Sequence, residues 1–290
     1  MNRYGPTESS AVKFARAAPL LVASFLYIIY HLWTRQSTLL ADPLDFASHH
    51  ASLNRTLGFG GILVAVVPST TAEHFHHQLH TLSLTSHRTN IDLKTFEGGG
   101  DKKFTKVWRG HMNMLRYMLD QKLETALILE GTVDWDLRVK DQLQRLSEAL
   151  PDATHDRPYG TGWMALWLSR CGPESSGLGQ PLSTFADASV LSTNSEDASH
   201  DRSVFRSGKS GCTVAYAVTA AGAQKILDEI GFEHVNLALE KAEGKTYNLP
   251  GLVVQPPLFE EWAEEDSVHA KSSPQALLGQ SVRKALYSHG

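Results

Sequence analysis

The feature that most constrains the fold is a pair of short, continuous apolar runs separated by a longer, largely amphipathic region. The first run is GGILVAVVP at residues 60–68, and the second is TALILE at residues 125–130. Continuous runs of Val, Ile and Leu are typical of strands that are buried on both faces of a sheet. Such strands need helices to cover them, so the sequence predicts an α/β fold with flanking helices.

Amphipathic segments alternate with strand-like runs along the rest of the chain. Within residues 107–124, Trp108, Met112 and Leu115 recur at the spacing of one helix face. The other predicted elements are a helix within 69–82, a helix at 137–150, a strand within 163–172, a strand and then a helix within 211–230, and a strand at 251–259. Residues 173–210 are rich in Ser, Gly and Asp and predict a long loop.

The composition excludes two classes of protein. The 290 residues include 27 Lys and Arg against 31 Asp and Glu, which gives a formal net charge of −4. This balance offers no basic surface for a phosphate backbone, so we expect no nucleic-acid partner. The two cysteines, Cys171 and Cys212, are too few for a disulfide-rich scaffold and lack the paired spacing of a zinc site.

An apolar run near the N-terminus predicts a membrane anchor. Residues 17–34 are almost entirely apolar, and Lys13 and Arg16 precede them. The length suits a single short span, and the basic residues favour a cytosolic N-terminus. The alternatives are a cleaved signal peptide, for which the sequence offers no small-residue cleavage site, and a buried helix of a soluble domain. A short span suits the thinner endoplasmic reticulum or Golgi membrane.

This anchor sets the expected domain organisation. We expect a cytosolic tail at 1–16, a transmembrane signal anchor at 17–34, a stem at 35–57, a lumenal domain at 58–262 and a flexible tail at 263–290. In the lumen, Asn54 would begin an Asn-Arg-Thr glycosylation acceptor, although an ordinary polar turn is the alternative. Cys171 and Cys212 are candidates for a disulfide in that compartment, and two free thiols are the alternative.

Acidic residues follow the second apolar run. Glu130 ends the run, and Asp134 and Asp136 come soon after it. Ligands of open α/β sheets bind at the carboxyl ends of strands, and carboxylates there are typical ligands of a divalent ion that holds a diphosphate. The alternative for Asp134 and Asp136 is that they cap the helix that follows. The chain contains no glycine-rich dinucleotide fingerprint and no P-loop.

The order of these segments resembles glycosyltransferase family 25, the lipooligosaccharide and collagen-type galactosyltransferases, and in particular its fungal branch. The segments that carry the resemblance are VWRGHMNMLRYMLDQKLETALILEGTVDWDLRVKDQL, PYGTGWMALWLSRCG, CTVAYAVTAAGAQKIL and VVQPPLF, and they fall within residues 57–259. The resemblance implies a GT-A-like nucleotide-binding sheet, a nucleotide-sugar donor, a glycan or protein acceptor, and Mn²⁺ as the usual cofactor.

The resemblance also implies roles for particular residues. Glu130 and Asp134 would be the catalytic and metal-binding carboxylates. The residues that would contact the substrate are Trp108, Arg109, His111, Asn113, Asp136 and Asn236.

Several positions depart from the pattern of the family. The strand end, usually Glu-Asp-Asp, reads Glu130-Gly131-Thr132, and Asn236 stands where the family has an aspartate. The arginines that follow the first strand in the family are absent from VVPSTTAEHF. Two hypotheses follow: an active glycosyltransferase, or an inactive relative that acts as a binding or scaffold partner of an active enzyme.

The predicted topology can be tested in sealed microsomes. A protease added from outside should leave the domain at 58–262 intact, because the anchor places it in the lumen. Glycosidase treatment should reduce the mass of the chain, and this shift should be lost in an Asn54→Gln variant. Digestion of the domain in sealed vesicles would contradict the topology.

Overall fold

A computed structural model of the chain describes eight stretches of sequence. They are residues 54–66, 72–99, 103–169, 178–190, 200–210, 213–230, 247–262 and 280–287. The apolar run at 17–34, Cys171, Cys212 and Asn236 lie outside these stretches. Within the described part of the chain, no helix has the length and apolar character needed to cross a membrane.

A mixed eight-stranded sheet forms the centre of the domain. Its strands are β1 (Ile62–Val66), β2 (Lys94–Glu97), β3 (Thr125–Glu130), β5 (Ala165–Trp167), β6 (Ser183–Ala186), β7 (Asp201–Ser210), β8 (Ala215–Thr219) and β9 (Tyr247–Gln255). Their order is β2-β1-β3-β8-β5-β9-β7-β6, and only β7 and β8 run against the other six. Strands β4 (Val133–Trp135) and β10 (Phe259–Glu261) form a separate antiparallel pair.

Five helices accompany the strands in the described residues: α1 (Ala72–Thr89), α2 (Lys103–Asp120), α3 (Val139–Ala149), α4 (Ala220–Ile230) and α5 (Val282–Tyr287). The predicted apolar face of α2 is confirmed, because Met112, Leu115 and Met118 are buried. Thr219 caps the start of α4, since its hydroxyl accepts a hydrogen bond from the Gly222 amide at 3.1 Å. The α/β prediction with flanking helices therefore holds.

The first three strands form a topological switch point at one edge of the sheet. All five residues of β1 are buried, as are the four central residues of β3, which is the burial that their continuous apolar runs predict. The chain leaves β1 through α1 to reach β2 on one side, and returns through α2 to β3 on the other side. This change of direction is a topological switch point at the carboxyl ends of β1 and β3, which is where open α/β sheets bind ligands.

The start of the domain lies slightly before the predicted boundary at residue 58. Leu57 is buried, and its carbonyl accepts a hydrogen bond from the Tyr159 hydroxyl. Asn54 is exposed, and its Oδ1 accepts hydrogen bonds from the amides of Thr56 at 2.9 Å and Gly58 at 3.0 Å. The Asn-Arg-Thr triplet therefore forms a polar turn, and its glycosylation stays a prediction.

Two sequence predictions are wrong in part. Strands β6 and β7 lie within the predicted loop 173–210. The alternation around Val204 in β7 contains too few apolar residues to indicate a strand, and pairing with β9 stabilises it. Residues 280–287, expected in a flexible tail, carry α5, and both Val282 and Arg283 are buried. Burial of these side chains against the domain orders a segment whose composition alone indicates disorder.

A buried ion pair fastens the β6–β7 edge of the sheet. The Arg202 Nη2 atom lies 2.8 Å from Asp187 Oδ2, and the Arg202 guanidinium also donates to the carbonyls of Pro256 and Pro257. Asp187 Oδ1 accepts hydrogen bonds from the amide and hydroxyl of Ser189. Burial alone would raise the pKa of Asp187, but the Ser189 hydrogen bonds and the Arg202 charge outweigh it and lower the pKa.

We expect Asp187→Asn to lower the free energy of unfolding by about 3–5 kcal/mol, because it leaves the Arg202 charge buried without its partner. The pKa of Asp187 is lower in the folded protein than its ordinary value of 3.8. The ionised carboxylate therefore stabilises the fold above about pH 3.8, and this stabilisation is lost as the pH falls through the lowered pKa. Urea unfolding near pH 7 and below pH 4 should therefore show a smaller difference between wild type and variant in acid.

Asp156→Asn is the matched control, since the Asp156 side chain is 96% exposed. Equal stability of Asp187→Asn and this control near pH 7 would contradict the account of the ion pair.

Candidate functional site

The carboxyl end of β3 presents one partly exposed carboxylate, that of Glu130. Its side chain is 18% exposed. The Thr213 hydroxyl donates to Glu130 Oε1 at 2.5 Å, and the Glu130 amide donates to the Val214 carbonyl at 2.9 Å. Antiparallel pairing of β3 with β8 places Thr213 and Val214 beside the strand end. Glu130 is therefore held by the segment that enters β8.

His111 approaches the same carboxylate from α2. Its side chain is fully buried, and Nε2 lies 3.5 Å from Glu130 Oε1. On the other side of the ring, Nδ1 lies 3.2 Å from the Tyr216 hydroxyl. The rings of His111 and Tyr216 stack with their centroids 5.8 Å apart. We call Glu130, Thr213, His111 and Tyr216 the Glu130 cluster.

The Tyr216 hydroxyl keeps its proton in this position. Burial raises the pKa of Tyr216, and the charge of Glu130 raises it further. The neutral phenol is a donor as well as an acceptor, so it can donate to His111 Nδ1. Thr213 and Tyr216 were not identified as site residues from the sequence, because the sheet pairing that brings them to Glu130 spans more than 80 residues of chain.

Of the other substrate-binding residues implied by the resemblance, Trp108, Arg109 and Asn113 lie on α2, Asp136 follows β4, and Asn236 lies outside the described residues. Arg109 and Asn113 are exposed, whereas His111 between them is buried, so they point away from the Glu130 cluster. Trp108 packs against the hydrophobic core, and its ring centroid is 6.3 Å from that of His111. The structure therefore brings together Glu130, His111 and Trp108 but not Arg109 or Asn113.

Asp134 is fully engaged inside the protein. It is 2% exposed, and Oδ1 accepts hydrogen bonds from the amides of Trp135 at 2.9 Å and Arg283 at 3.2 Å. The Ser281 hydroxyl donates to Oδ2. Burial raises the pKa of Asp134, and the Ser281 hydrogen bond opposes this only in part. Asp134 thus satisfies the first turn of α5, since Ser281 precedes that helix and Arg283 lies within it.

Asp136 is engaged in the same way. It is completely buried, and Oδ1 accepts from the Arg138 amide at 2.8 Å while Oδ2 accepts from the Gln280 amide at 2.7 Å. The Arg138 contact lies in the turn that leads into α3, although Arg138 itself is the N-cap residue. The capping alternative is therefore wrong for α3, which has no side-chain cap. Both aspartates instead accept hydrogen bonds from residues 280–283.

The strand end between these groups is packed. The Gly131 amide donates to the Ala65 carbonyl at 2.8 Å, and its own carbonyl accepts from Arg283 Nη2 at 2.8 Å. A Cβ atom at Gly131 would lie 2.5 Å from Gln78 Nε2 and 3.2 Å from the Ala65 carbonyl oxygen. The side chain of Gln78 therefore fills the space that a longer side chain at position 131 would need.

The residues at this edge do not fit a Mn²⁺ site. A hard cation needs several accessible oxygen ligands. Asp134 and Asp136 are buried and hydrogen-bonded, and Gly131 and Thr132 supply no carboxylate. Within the described part of the chain, no group of three or more His, Cys, Asp or Glu side chains is arranged to hold a metal ion.

Comparison with known proteins adds no family assignment. No protein-family model matches the chain, and no curated protein matches it.

We expect Asp134→Ala to lower the free energy of unfolding by about 1–3 kcal/mol, because it leaves the Ser281 hydroxyl and the Arg283 amide without an acceptor. Urea denaturation measures this change, and limited proteolysis should cut the variant first near residues 280–287. Asp141→Ala, at an exposed position on α3, is the control. Stability equal to that of the control would show that Asp134 does not hold the C-terminal segment.

Proposed function

We propose that the chain is a membrane-anchored, lumenal relative of glycosyltransferase family 25 that binds a sugar ligand but does not catalyse Mn²⁺-dependent transfer. In this proposal it acts as a binding or scaffold partner of an active glycosyltransferase in the endoplasmic reticulum or Golgi. The resemblance of residues 57–259 supports the family and a GT-A-like fold. The switch point at the carboxyl ends of β1 and β3 is where a sheet of this kind binds ligands.

The proposed loss of metal-dependent chemistry is supported by one observation. The two aspartates after β3, Asp134 and Asp136, accept hydrogen bonds from residues 280–283 and have no exposed carboxylate to offer an ion. Releasing either carboxylate would break two or more hydrogen bonds in the protein interior. Hydrogen bonds to charged groups contribute about 1.5–3 kcal/mol each, so binding of Mn²⁺ at this edge would have to offset several of them.

An active transferase is the second candidate. The Glu130 cluster favours it, because a carboxylate with a buried histidine beside it is suited to take a proton from an acceptor hydroxyl. This candidate needs a source of positive charge for the donor diphosphate other than a metal held by the two aspartates.

We expect no Mn²⁺-dependent transfer or hydrolysis of UDP-galactose by the wild-type chain. Isothermal titration should show no Mn²⁺ binding that depends on Asp134, and a coupled assay for released UDP should give the rate of the uncatalysed control. Turnover that requires Mn²⁺ and is abolished by EDTA would refute the proposal in favour of the active transferase.

Carboxylates introduced at positions 131 and 132 test whether the Gln78 side chain limits metal binding there. Gly131→Asp with Thr132→Asp should raise the Mn²⁺ affinity only as far as the end of the Gln78 side chain moves aside, and adding Gln78→Ala should raise the affinity further. Gly99→Asp is the matched control, since nothing lies within 4 Å of a Cβ atom at that glycine. Equal Mn²⁺ affinity with and without Gln78→Ala would contradict the packing account.

A further inference from the structure

The Glu130 carboxylate is oriented by groups that are themselves held in place. Thr213 donates to Oε1 at 2.5 Å, and His111 Nε2 faces the same oxygen at 3.5 Å. His111 is held in turn by Tyr216, whose hydroxyl lies 3.2 Å from Nδ1. Both rings are buried, whereas the Glu130 side chain is 18% exposed. A buried chain of polar groups therefore ends at a carboxylate that solvent can reach.

Electrostatics determines which nitrogen and oxygen atoms carry hydrogens among these polar groups. A bare nitrogen lone pair at Nε2 would face the lone pairs of Glu130 Oε1, so Nε2 carries a hydrogen. In the neutral ring Nδ1 then accepts from the Tyr216 hydroxyl, and in the charged ring both nitrogens donate. Nε2–H points at Glu130 in either case. The contact at 3.5 Å is longer than a hydrogen bond, as such contacts often are before a ligand binds.

We propose that Glu130 accepts a hydrogen bond from a hydroxyl group of a sugar ring, and that Thr213, His111 and Tyr216 are positioning residues for its carboxylate. The inference rests on the proposed function and names the chemistry by which the strand end would hold its ligand. A hydroxyl group is a neutral donor and suits a carboxylate, whereas a phosphate placed against Glu130 would be repelled. The sugar ring can be the ribose of a nucleotide or a hexose, because both present the same group.

Three probes distinguish a ribose hydroxyl from a hexose hydroxyl as the group that contacts Glu130. UDP carries only ribose, methyl galactoside carries only a hexose, and UDP-galactose carries both. Isothermal titration of the full chain in detergent, with EDTA present, gives the affinity for each probe. Glu130→Gln should weaken binding about 10- to 150-fold for every probe whose hydroxyl contacts Glu130, since it removes a charged acceptor. A loss with UDP and UDP-galactose assigns ribose, and a loss with methyl galactoside and UDP-galactose assigns the hexose.

Glu124→Gln is the matched control. Glu124 is exposed and directly precedes β3, so the same substitution is made at the opposite end of the strand from Glu130. This variant should bind each probe as the wild type does. Binding that Glu130→Gln leaves unchanged overturns the inference alone. If the wild type binds none of the three probes, the proposed sugar ligand and the inference that rests on it are both overturned.

The positioning residues are tested separately from ligand binding. Nitrogen-15 NMR of the His111 ring should show a hydrogen on Nε2, and Tyr216→Phe should shift the Nδ1 resonance and leave the Nε2 hydrogen in place. Thr213→Val should weaken binding of the probe about tenfold, and Thr213→Ser should restore it, because serine keeps the donor. A bare Nε2 in the wild type, or equal binding by the Val and Ser variants, would overturn the positioning roles.

Discussion

The rest of the site depends on two buried carboxylates that hold the C-terminal segment of the domain. Asp134 and Asp136 flank Trp135 in β4, and together they accept hydrogen bonds from Gln280, Ser281 and Arg283. Burying a carboxylate is unfavourable unless its oxygens are hydrogen-bonded, and these partners meet that requirement. A segment distant in sequence thereby becomes an integral part of the fold.

The docked C-terminal segment also contacts the end of β3 at Gly131. Arg283 reaches from α5 to the Gly131 carbonyl, and Gln78 reaches from α1 across the same glycine. Gly131 is thus held through its backbone and covered by a side chain, and an aspartate there would displace Gln78. Glu130, one residue earlier, points to different partners, on α2 and on the segment that enters β8, and stays partly exposed. The same strand end therefore combines a packed side with a partly exposed carboxylate.

The local sequence pattern predicted the strands and helices whose buried residues are continuous or regularly spaced. The run at β1 and the helical spacing of Met112 and Leu115 in α2 both appear as expected, because apolar periodicity reports burial directly. The partners of Glu130 could not be predicted, since they depend on the pairing of β3 with β8.

Elements stabilised by distant contacts were missed for the same reason. Strand β7 has a weak apolar pattern and depends on β9, and α5 depends on Asp134. The pairing of Asp187 with Arg202 was not predicted either, because a charged pair in a sequence gives no sign of its own burial. Buried polar contacts between distant segments are thus the part of this fold that cannot be predicted from a single sequence.

Amide hydrogen exchange at Gln280 and Arg283 tests most directly whether the two aspartates hold protein or metal. Both amides donate to these carboxylates, so they should be protected from exchange in the full chain. The account predicts equal protection with and without millimolar Mn²⁺ and UDP-galactose. Loss of protection at both amides when Mn²⁺ is added would show that the carboxylates turn to the ion, and would contradict the account.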